Sequence, residues 1–386
     1  MEVTVSRFLV KSLPGLLGDL PFTLETGYIG VGKSDEVQLF YYFFESEGNP
    51  KADPLMIWLT GGPGCSALSG LLYEIGPFMI DYANSTLEKP MLQINPHSWT
   101  KVANIIFLDQ PAGSGFSYAK TPEAYITNDT LSTMQVYHFL RKWLLEHPKF
   151  LNNPLYLGSD SYGGIVVPMI VQEIYNGNEV GEGLHINIKG YVLGNPSTDA
   201  SLDYNSKIPF AHRMGFLSDA IYKSTKENCH GEYLNVDPNN SLCVHYLQVV
   251  DKEYKEIEWV RCNETLRSPN DHKKVLSYTH TVPSTVAYHR HLADRNCQAL
   301  VYSGDHDMVV PYLGTLKWIE SLNLLVVDDW RPWFVDEQVA GYTIKYSNHN
   351  YNLTFTTVKG GGHTAPEYKP KECLSMLKRW LANEDL

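Results

Sequence analysis

The sequence is poor in positive charge and has no long apolar run. Its 386 residues include 31 Lys and Arg against 43 Asp and Glu, which gives a formal net charge of −12. A nucleic-acid-binding protein needs a basic surface for phosphate groups, so this balance argues against that class. The longest apolar stretches, such as residues 164–174, fall short of the roughly 20 residues that a membrane-spanning helix requires. We therefore expect neither nucleic acid nor a membrane as a partner.

Cysteine is also scarce, and its spacing excludes the common metal sites. The six cysteines form no Cys-x-x-Cys pair and no Cys/His cluster with metal-ligand spacing, so no metal is expected. An even number of cysteines and five glycosylation sequons favour the oxidising secretory route, to a secreted or vacuolar protein. The sequons begin at Asn84, Asn128, Asn239, Asn263 and Asn352. Residues 1–10 are too polar for a signal-peptide core, so either the signal peptide is missing from this sequence or the compartment is a different one.

The chain has no internal repeat, low-complexity tract or Pro/Ser-rich linker, so residues 1–386 are predicted to form one domain. Short apolar runs alternate with stretches of helical periodicity. The strand candidates are 38–44, 55–59, 105–108, 155–157, 191–193, 299–302 and 353–358, and the helix candidates are 130–145 and 165–174. This pattern predicts an α/β fold whose mostly parallel sheet has helices on both faces and its chemistry in the loops after the strands. The pattern loosens over residues 201–274, where we predict an inserted cap.

Ser161 lies in a glycine-rich turn between an apolar strand and an apolar helix. The turn reads Gly158-Ser159-Asp160-Ser161-Tyr162-Gly163-Gly164. This context predicts a nucleophile elbow, which holds a serine hydroxyl on a strained turn at the top of the sheet. The motif alone is equally typical of an ordinary Ser/Gly turn, so the interpretation depends on the partners of the serine.

Candidate partners of Ser161 follow two later strands. His363 comes after three glycines at the end of one strand, and Asp305 and Asp307 follow Gly304 at the end of another. The order Ser, Asp, His is that of α/β-hydrolases, in which the histidine takes the serine proton and the carboxylate orients the imidazole. The residues alone do not separate Asp305 from Asp307.

A glycine-rich loop supplies a candidate oxyanion hole. Gly61-Gly62-Pro63-Gly64 follows a strand, at the place where α/β-hydrolases have a loop that donates a backbone N–H. The N–H of Tyr162, directly after the nucleophile, is the second candidate donor. Together with the serine, acid and histidine, these donors complete a candidate α/β-hydrolase site, and this set of residues needs no metal or organic cofactor.

With these residues assembled, the sequence resembles the serine carboxypeptidase family and, within it, the plant serine carboxypeptidase-like acyltransferases. The resemblance covers nearly the whole chain, and its motifs are residues 11–15, 25–28, 58–66, 109–111, 158–164, 303–307 and 361–366. It implies an α/β-hydrolase fold, a triad of Ser161, Asp307 and His363, and an oxyanion hole formed by Gly62 and Tyr162.

Three positions bear on the branch of the family. Carboxypeptidases hold the peptide carboxylate with an Asn before the Gly-Gly pair, a Glu before the nucleophile and a Glu after the glycine loop. At these positions this chain has Thr60, Asp160 and Glu74. Together with Gly61, they are the candidate substrate-binding residues. Removing hydrogen-bond partners of a charged group costs about 1.5–3 kcal/mol, so peptide trimming should be weakened. The Thr, the Asp and the segment 329–333, Asp-Trp-Arg-Pro-Trp, resemble the acyltransferase branch.

The resemblance therefore implies transfer of an acyl group from a 1-O-acyl-β-glucose to an acceptor alcohol through a Ser161 acyl-enzyme, with these small molecules as partners. Two alternatives stay open. An acid carboxypeptidase is favoured if Asp160 and Glu74 share a proton and bind a carboxylate. A non-catalytic binding glycoprotein is permitted by a shortened cap and by Ser159.

The sequence departs from the family pattern at the elbow and in the cap. Ser159 stands where the family nearly always has Gly, and Gly163 stands where Ser or Ala is common, so we expect the Ser159 side chain to crowd the turn. Residues 246–259 replace a longer family segment, which predicts a truncated cap. By resemblance, the disulfides are Cys65 to Cys262 and Cys229 to Cys243, while Cys297 and Cys373 are free or paired with each other.

Overall fold

The structure, a computed structural model, describes residues 6–86, 88–181, 183–255 and 277–386. The strands are β1 (Ser6–Val10), β2 (Leu24–Val31), β3 (Val37–Phe44), β4 (Leu55–Leu59), β5 (Phe78–Ile80), β6 (Leu92–Ile94), β7 (Asn104–Leu108), β8 (Tyr118–Ala119), β9 (Thr127–Asn128), β10 (Leu155–Asp160), β11 (Ile188–Gly194), β12 (Tyr278–Thr279), β13 (Gln298–Gly304), β14 (Leu325–Val335), β15 (Gln338–Asn348) and β16 (Tyr351–Val358). The helices are α1 (Ala67–Ser69), α2 (Asp129–Glu146), α3 (Gly163–Glu179), α4 (Ala200–Asn205), α5 (Lys207–Arg213), α6 (Asp219–Cys229), α7 (Ser241–Lys255), α8 (Val286–Leu292), α9 (Tyr312–Glu320), α10 (Ala365–Tyr368) and α11 (Pro370–Leu381).

Most strands form one sheet in the order β1-β2-β3-β7-β4-β10-β11-β13-β16-β15-β14, with β8 beside β3. The six strands from β7 to β16 in that order are parallel. Antiparallel strands extend the sheet at both edges. The predicted mostly parallel α/β sheet is confirmed, and all seven strand candidates lie in it. Because parallel strands place their carboxyl ends at one edge, the loops after β4, β10, β13 and β16 meet there.

The sheet separates two hydrophobic cores, one on each face. Every residue of β4 is buried, as expected for a parallel strand covered on both sides. Leu55 and Ile57 pack with the apolar face of α2 and with α3 in one core. Met56 and Trp58 pack with residues of α1 and α11 in the other. The prediction of helices on both faces is therefore confirmed, and the two long helix candidates correspond to α2 and α3.

Helices α4 to α7 follow β11 in the region predicted to be a cap. They enclose a small core of their own, formed by Ile208, Ala211, Leu217, Cys229, Tyr233, Cys243 and Val250. A disulfide joins Cys229 to Cys243, as the resemblance implied. The predicted cap continues to residue 274 and so runs beyond the described ranges, and the assignment of 201–274 as a cap within one domain stays a prediction.

The remaining cysteines differ from the bridged pair. Cys297 and Cys373 are buried thiols that are not joined to each other, and burial raises the pKa of the Cys297 thiol to about 12. Cys262 and Asn263 lie outside the described residues, so the pairing of Cys65 with Cys262 stays a prediction.

The sequon residues Asn84, Asn239 and Asn352 are exposed, and Asn128 is half-buried at the start of α2. Over the described ranges, the structure has no helix that is both long and apolar enough for a membrane span.

Candidate active site

Ser161 lies at the sharp turn between β10 and α3. Its φ of 52° is in the left-handed region, which costs a residue with a side chain about 1–3 kcal/mol. Three backbone hydrogen bonds hold it there. The Ser161 N–H donates to the Gly194 carbonyl at 2.9 Å, and the Ser161 carbonyl accepts the N–H groups of Gly164 at 3.0 Å and Ser197 at 2.9 Å. The turn has the strained geometry of a nucleophile elbow.

Ser161, His363 and Asp307 form one hydrogen-bonded chain. His363 Nε2 lies 2.8 Å from Ser161 Oγ, and His363 Nδ1 lies 2.8 Å from Asp307 Oδ2. An ionised carboxylate can only accept, so Nδ1 carries a proton, and Nε2 of the neutral ring is then an acceptor for the serine hydroxyl. This is the tautomer that general-base activation of a serine requires.

The geometry distinguishes the two aspartates that the residues alone could not separate. Asp307 is 2% exposed, and besides the imidazole it accepts the N–H of Val309 at 2.8 Å. Asp305 instead accepts the N–H of Gly360 at 2.7 Å, on the loop that leads to His363. Asp307 therefore contacts the imidazole, whereas Asp305 fixes the loop that carries it.

Asn195 is a residue of the site that sequence analysis missed. It follows β11, and its φ is 44°. Its Nδ2 donates to Asp307 Oδ2 at 2.8 Å, and its Oδ1 accepts the N–H of Gly304 at 3.1 Å. The amide thus fixes both the carboxylate and the end of the strand before it. A polar residue that follows the apolar run 191–193 after a single glycine, and that precedes Pro196, could have indicated it.

The glycine loop packs directly on the elbow. A Cβ added at Gly61 would lie 2.7 Å from Ser161 Cβ and 3.0 Å from Tyr162 N, so only glycine fits there. Gly62 has a φ of 121°, which residues with side chains rarely adopt. The two candidate oxyanion donors, Gly62 and Tyr162, therefore lie in the immediate neighbourhood of Ser161.

Asp109 fixes the end of the glycine loop. Its Oδ1 accepts the Ser66 hydroxyl at 2.8 Å and the Ala67 N–H at 2.7 Å, and its Oδ2 accepts the Phe116 N–H at 2.8 Å. Burial raises the pKa of this carboxyl, and the three hydrogen bonds oppose the rise. The motif that begins at Asp109 therefore ties the loop after β4 to the loop after β7.

The predicted substrate-binding residues next to the glycine loop form a buried polar cluster. Thr60, Glu74 and Asp160 are all buried. Asp160 Oδ1 accepts the N–H of Gly61 at 2.9 Å. Burial raises the pKa of the Tyr302 hydroxyl, and the charges of Glu74 and Asp160 add to this rise, so both carboxyl groups act electrostatically on that hydroxyl. One oxygen of Asp160 is thus hydrogen-bonded to the glycine loop. Thr60 has no side-chain amide that could donate to a substrate carboxylate.

Gly163 accommodates the Ser159 side chain in the elbow. Its hydroxyl donates to the Leu59 carbonyl on the neighbouring strand. A Cβ added at Gly163 would lie 1.4 Å from Ser159 Oγ and 2.3 Å from Ser159 Cβ. The Ser159 side chain therefore occupies the space that a side chain at position 163 would need, and the glycine makes room for it.

A cavity of about 600 Å³ opens beside the triad. Its lining residues are Tyr162, Ile165, Ser197, Thr198, Asp199, Ala200, Asp203, Tyr204, Lys207, His280, Val282, Pro283, Val309 and Val310. Ser197 and Val309 are hydrogen-bonded to Ser161 and Asp307 through their N–H groups, so the cavity wall is joined to the triad. Burial raises the pKa of Asp203 to about 7. We call this space the side cavity.

The segment 329–333 lies on β14 and has structural contacts. Trp333 is buried, and its Nε1 donates to the Thr357 carbonyl at 3.0 Å. Arg331 pairs with Asp328 and donates to the Leu386 carbonyl at 2.8 Å. The segment therefore fastens the C-terminal residue to the edge strand of the sheet.

Comparison with known proteins agrees with this arrangement. The family model described as Serine carboxypeptidase matches residues 14–256 and 251–383. The chain belongs to the serine carboxypeptidase family. Serine carboxypeptidase-like 17 of Arabidopsis thaliana is 46% identical over 421 residues, which cover 100% of this chain and 95% of the relative. Serine carboxypeptidase-like 7 of the same plant is also 46% identical, over 99% of this chain and 95% of its own.

The fold of this serine carboxypeptidase family member is similar to that of a solved structure. Kex1(delta)p, a prohormone-processing carboxypeptidase from Saccharomyces cerevisiae, superposes with a TM-score of 0.71 at 20% identity, over 94% of this chain and 91% of that chain. The predicted α/β-hydrolase fold is thereby confirmed.

The chain is shorter than this relative. The alignment with Serine carboxypeptidase-like 17 runs over 421 positions against the 386 residues here, so about 35 residues of the relative have no counterpart in this chain. The family model matches in two stretches that overlap at residues 251–256, and the truncation of the cap stays a prediction.

Proposed function

We propose that this serine carboxypeptidase-like protein transfers an acyl group from a 1-O-acyl-β-glucose to an acceptor alcohol. The observation that carries the proposal is the chain of two 2.8 Å contacts from Ser161 through His363 to Asp307. It combines a nucleophile, a base in the right tautomer and an orienting carboxylate. Such an arrangement supports acyl-enzyme chemistry and opposes the non-catalytic alternative.

In the proposed mechanism, His363 takes the Ser161 proton while Oγ attacks the ester carbonyl of the donor. The N–H groups of Gly62 and Tyr162 would bind the oxyanion, and one such donor contributes about 2.7–4 kcal/mol. Collapse of the tetrahedral intermediate releases glucose, which takes the proton from His363. The acceptor hydroxyl then gives its proton to His363 and attacks the acyl-enzyme, so the product ester forms and Ser161 regains its proton.

The preference for transfer over peptide trimming is supported by the cluster beside the glycine loop. The family pattern for binding a peptide carboxylate has an Asn and a Glu where this chain has Thr60 and Asp160. The shorter Asp160 side chain is hydrogen-bonded to the Gly61 N–H. We assign the side cavity to the acyl group, because its wall is joined to both Ser161 and Asp307.

An acid carboxypeptidase is the second candidate. The observation in its favour is that Glu74 and Asp160 are both buried close to Tyr302, where two carboxyl groups would share a proton readily. For either activity we propose a secretory route, to a secreted or vacuolar location. The Cys229–Cys243 disulfide and the exposed sequon residues Asn84, Asn239 and Asn352 support it.

Mass spectrometry of reaction mixtures tests the proposal. The protein is incubated with a panel of 1-O-acylglucoses and alcohols, with a Ser161→Ala variant as the control, and Ser161 is labelled in parallel with a fluorophosphonate. We expect labelling, glucose release and a new ester, all absent in the variant. Amino-acid release from a blocked dipeptide without ester formation would favour the carboxypeptidase. Folded protein that does not label would contradict both.

A further inference from the structure

A hydrogen-bonded chain leads from a buried carboxylate to the side cavity. The Tyr162 hydroxyl lies 2.5 Å from Asp129 Oδ1, and His280 Nδ1 lies 2.7 Å from the Tyr162 oxygen. Asp129 is 0% exposed, and Tyr278 also donates to its Oδ1 at 2.9 Å. Tyr162 directly follows the nucleophile, and His280 is an exposed residue of the cavity wall.

The carboxylate of Asp129 is ionised. Burial alone would raise its pKa, but the Tyr162 hydroxyl and the N–H groups of Thr281 and Val282, at 2.5 and 2.8 Å, hold the pKa below its usual range. Two oxygens 2.5 Å apart repel each other unless a proton lies between them, so the Tyr162 hydroxyl must donate to Asp129.

This donation fixes the tautomer of His280. The single proton of the Tyr162 hydroxyl is already given to Asp129, so the Tyr162 oxygen can only accept from His280. Nδ1 of His280 therefore carries a proton, and Nε2 of the neutral ring has a free lone pair. Among the described residues, Nε2 has no hydrogen-bond partner.

We propose that His280 Nε2 accepts a hydrogen bond from a hydroxyl group of the ligand in the side cavity. The proposal rests on the proposed function, which supplies two sources for that hydroxyl, the acyl group and the acceptor alcohol. Ile165, Val282, Val309 and Val310 make much of the remaining wall apolar, so one directed acceptor distinguishes a hydroxyl from a methyl ether at the same position.

The test compares nitrophenyl esters whose acyl group carries either a hydroxyl or a methoxy substituent, and a second arm compares hydroxylated and methoxylated acceptor alcohols. In one of the two arms we expect wild type to prefer the hydroxyl by about tenfold in kcat/KM. His280→Phe should lose the preference, and His280→Gln, whose amide oxygen can accept, should recover part of it. His291→Phe, an exposed histidine outside the cavity, is the matched control.

The outcomes separate this proposal from the proposed function. Nitrophenol release reports acylation of Ser161 without any glucose ester, so inactive acylglucoses leave the comparison intact. If the esters are not turned over, calorimetric binding of the matched hydroxy and methoxy acids and alcohols gives the same comparison. Equal preferences of wild type and His280→Phe in both arms would overturn the role of His280.

Discussion

The carboxyl edge of the sheet and the helices α4 to α7 are built in different ways. At the sheet edge, backbone hydrogen bonds and glycine contacts fix the turn at Ser161, and Asn195 fixes Asp307. The helices instead surround a separate small core closed by the Cys229–Cys243 disulfide. The proposed chemistry therefore lies at the carboxyl edge of the sheet. The helices reach the side cavity through Asp203, Tyr204 and Lys207, where they can change what is bound.

The largest effect should come from Asp307→Asn at the sheet edge. An amide at this position removes the carboxylate that selects the Nδ1–H tautomer of His363, so we expect the acylation rate of Ser161 to fall by roughly 10⁴-fold. The measurement is the release of nitrophenol from a simple ester. Asp305→Asn is the matched control. Its acylation rate should stay within about tenfold of that of wild type, since Asp305 only fixes a loop. Equal losses in the two variants would contradict the assignment.

Asp203 gives the helical region a pH dependence of its own. Its pKa is about 7 in the folded chain and about 3.9 in an unfolded one. Between these values the folded state holds one more proton, so the free energy of unfolding should decrease as pH rises from about 4 to about 7, by up to about 4 kcal/mol. Asp203→Asn should remove this decrease in urea titrations at several pH values. The control Asp199→Asn keeps Asp203 and should retain it.

Removing the disulfide should weaken the helices and leave the proposed chemistry in place. The bridge joins cysteines 14 residues apart, and a loop of that size predicts a loss of about 3 kcal/mol in the Cys229→Ser, Cys243→Ser variant. Thermal unfolding measures the loss, and fluorophosphonate labelling at room temperature should persist. Reducing wild type should lower the unfolding temperature at least as much. A further shift when the variant is reduced would reveal a second disulfide, as implied for Cys65 and Cys262.

The smallest effect should come from restoring the carboxypeptidase pattern beside the glycine loop. Thr60→Asn with Asp160→Glu adds an amide donor and a longer carboxyl group facing a peptide carboxylate. We expect amino-acid release from a blocked dipeptide to rise by about tenfold or more, which corresponds to about 1.5 kcal/mol. Adding Glu74→Gln to this variant is the control and should reverse the gain. No gain in the double variant would show that these positions do not decide between the two activities.

Much of the sheet could be predicted from sequence because its central strands are buried on both faces. Such strands are short, continuous apolar runs, and β4 was predicted to the residue. The antiparallel pair β14 and β15 was not predicted. The apolar run 325–327 at the start of β14 is exposed and is followed at once by the polar residues Asp328 and Asp329, so the sequence does not show a buried strand. Its segment 329–333 was noted only as a family motif.

Part of the candidate site could also be predicted from sequence, for a different reason. Ser161 and His363 follow strands in glycine-rich turns, which are local patterns. The choice between Asp305 and Asp307 depends on which carboxylate faces the imidazole, and two aspartates in one turn look alike in sequence. The chain from Asp129 through Tyr162 to His280 joins residues more than 30 and more than 110 positions apart. No local pattern reports such contacts.

The contact between Ser159 and Gly163 also restricts how this elbow could have arisen from the common family pattern. A side chain at both positions would put the two Cβ atoms 2.3 Å apart, a clash that no rotamer relieves. Glycine at both positions produces no clash. The exchange of side chains therefore requires an ordered path, in which the residue at position 163 is reduced to glycine before a serine is gained at position 159. A side chain at position 159 fits only when position 163 is glycine, so position 159 cannot be judged alone when the activity of a relative is inferred from its elbow.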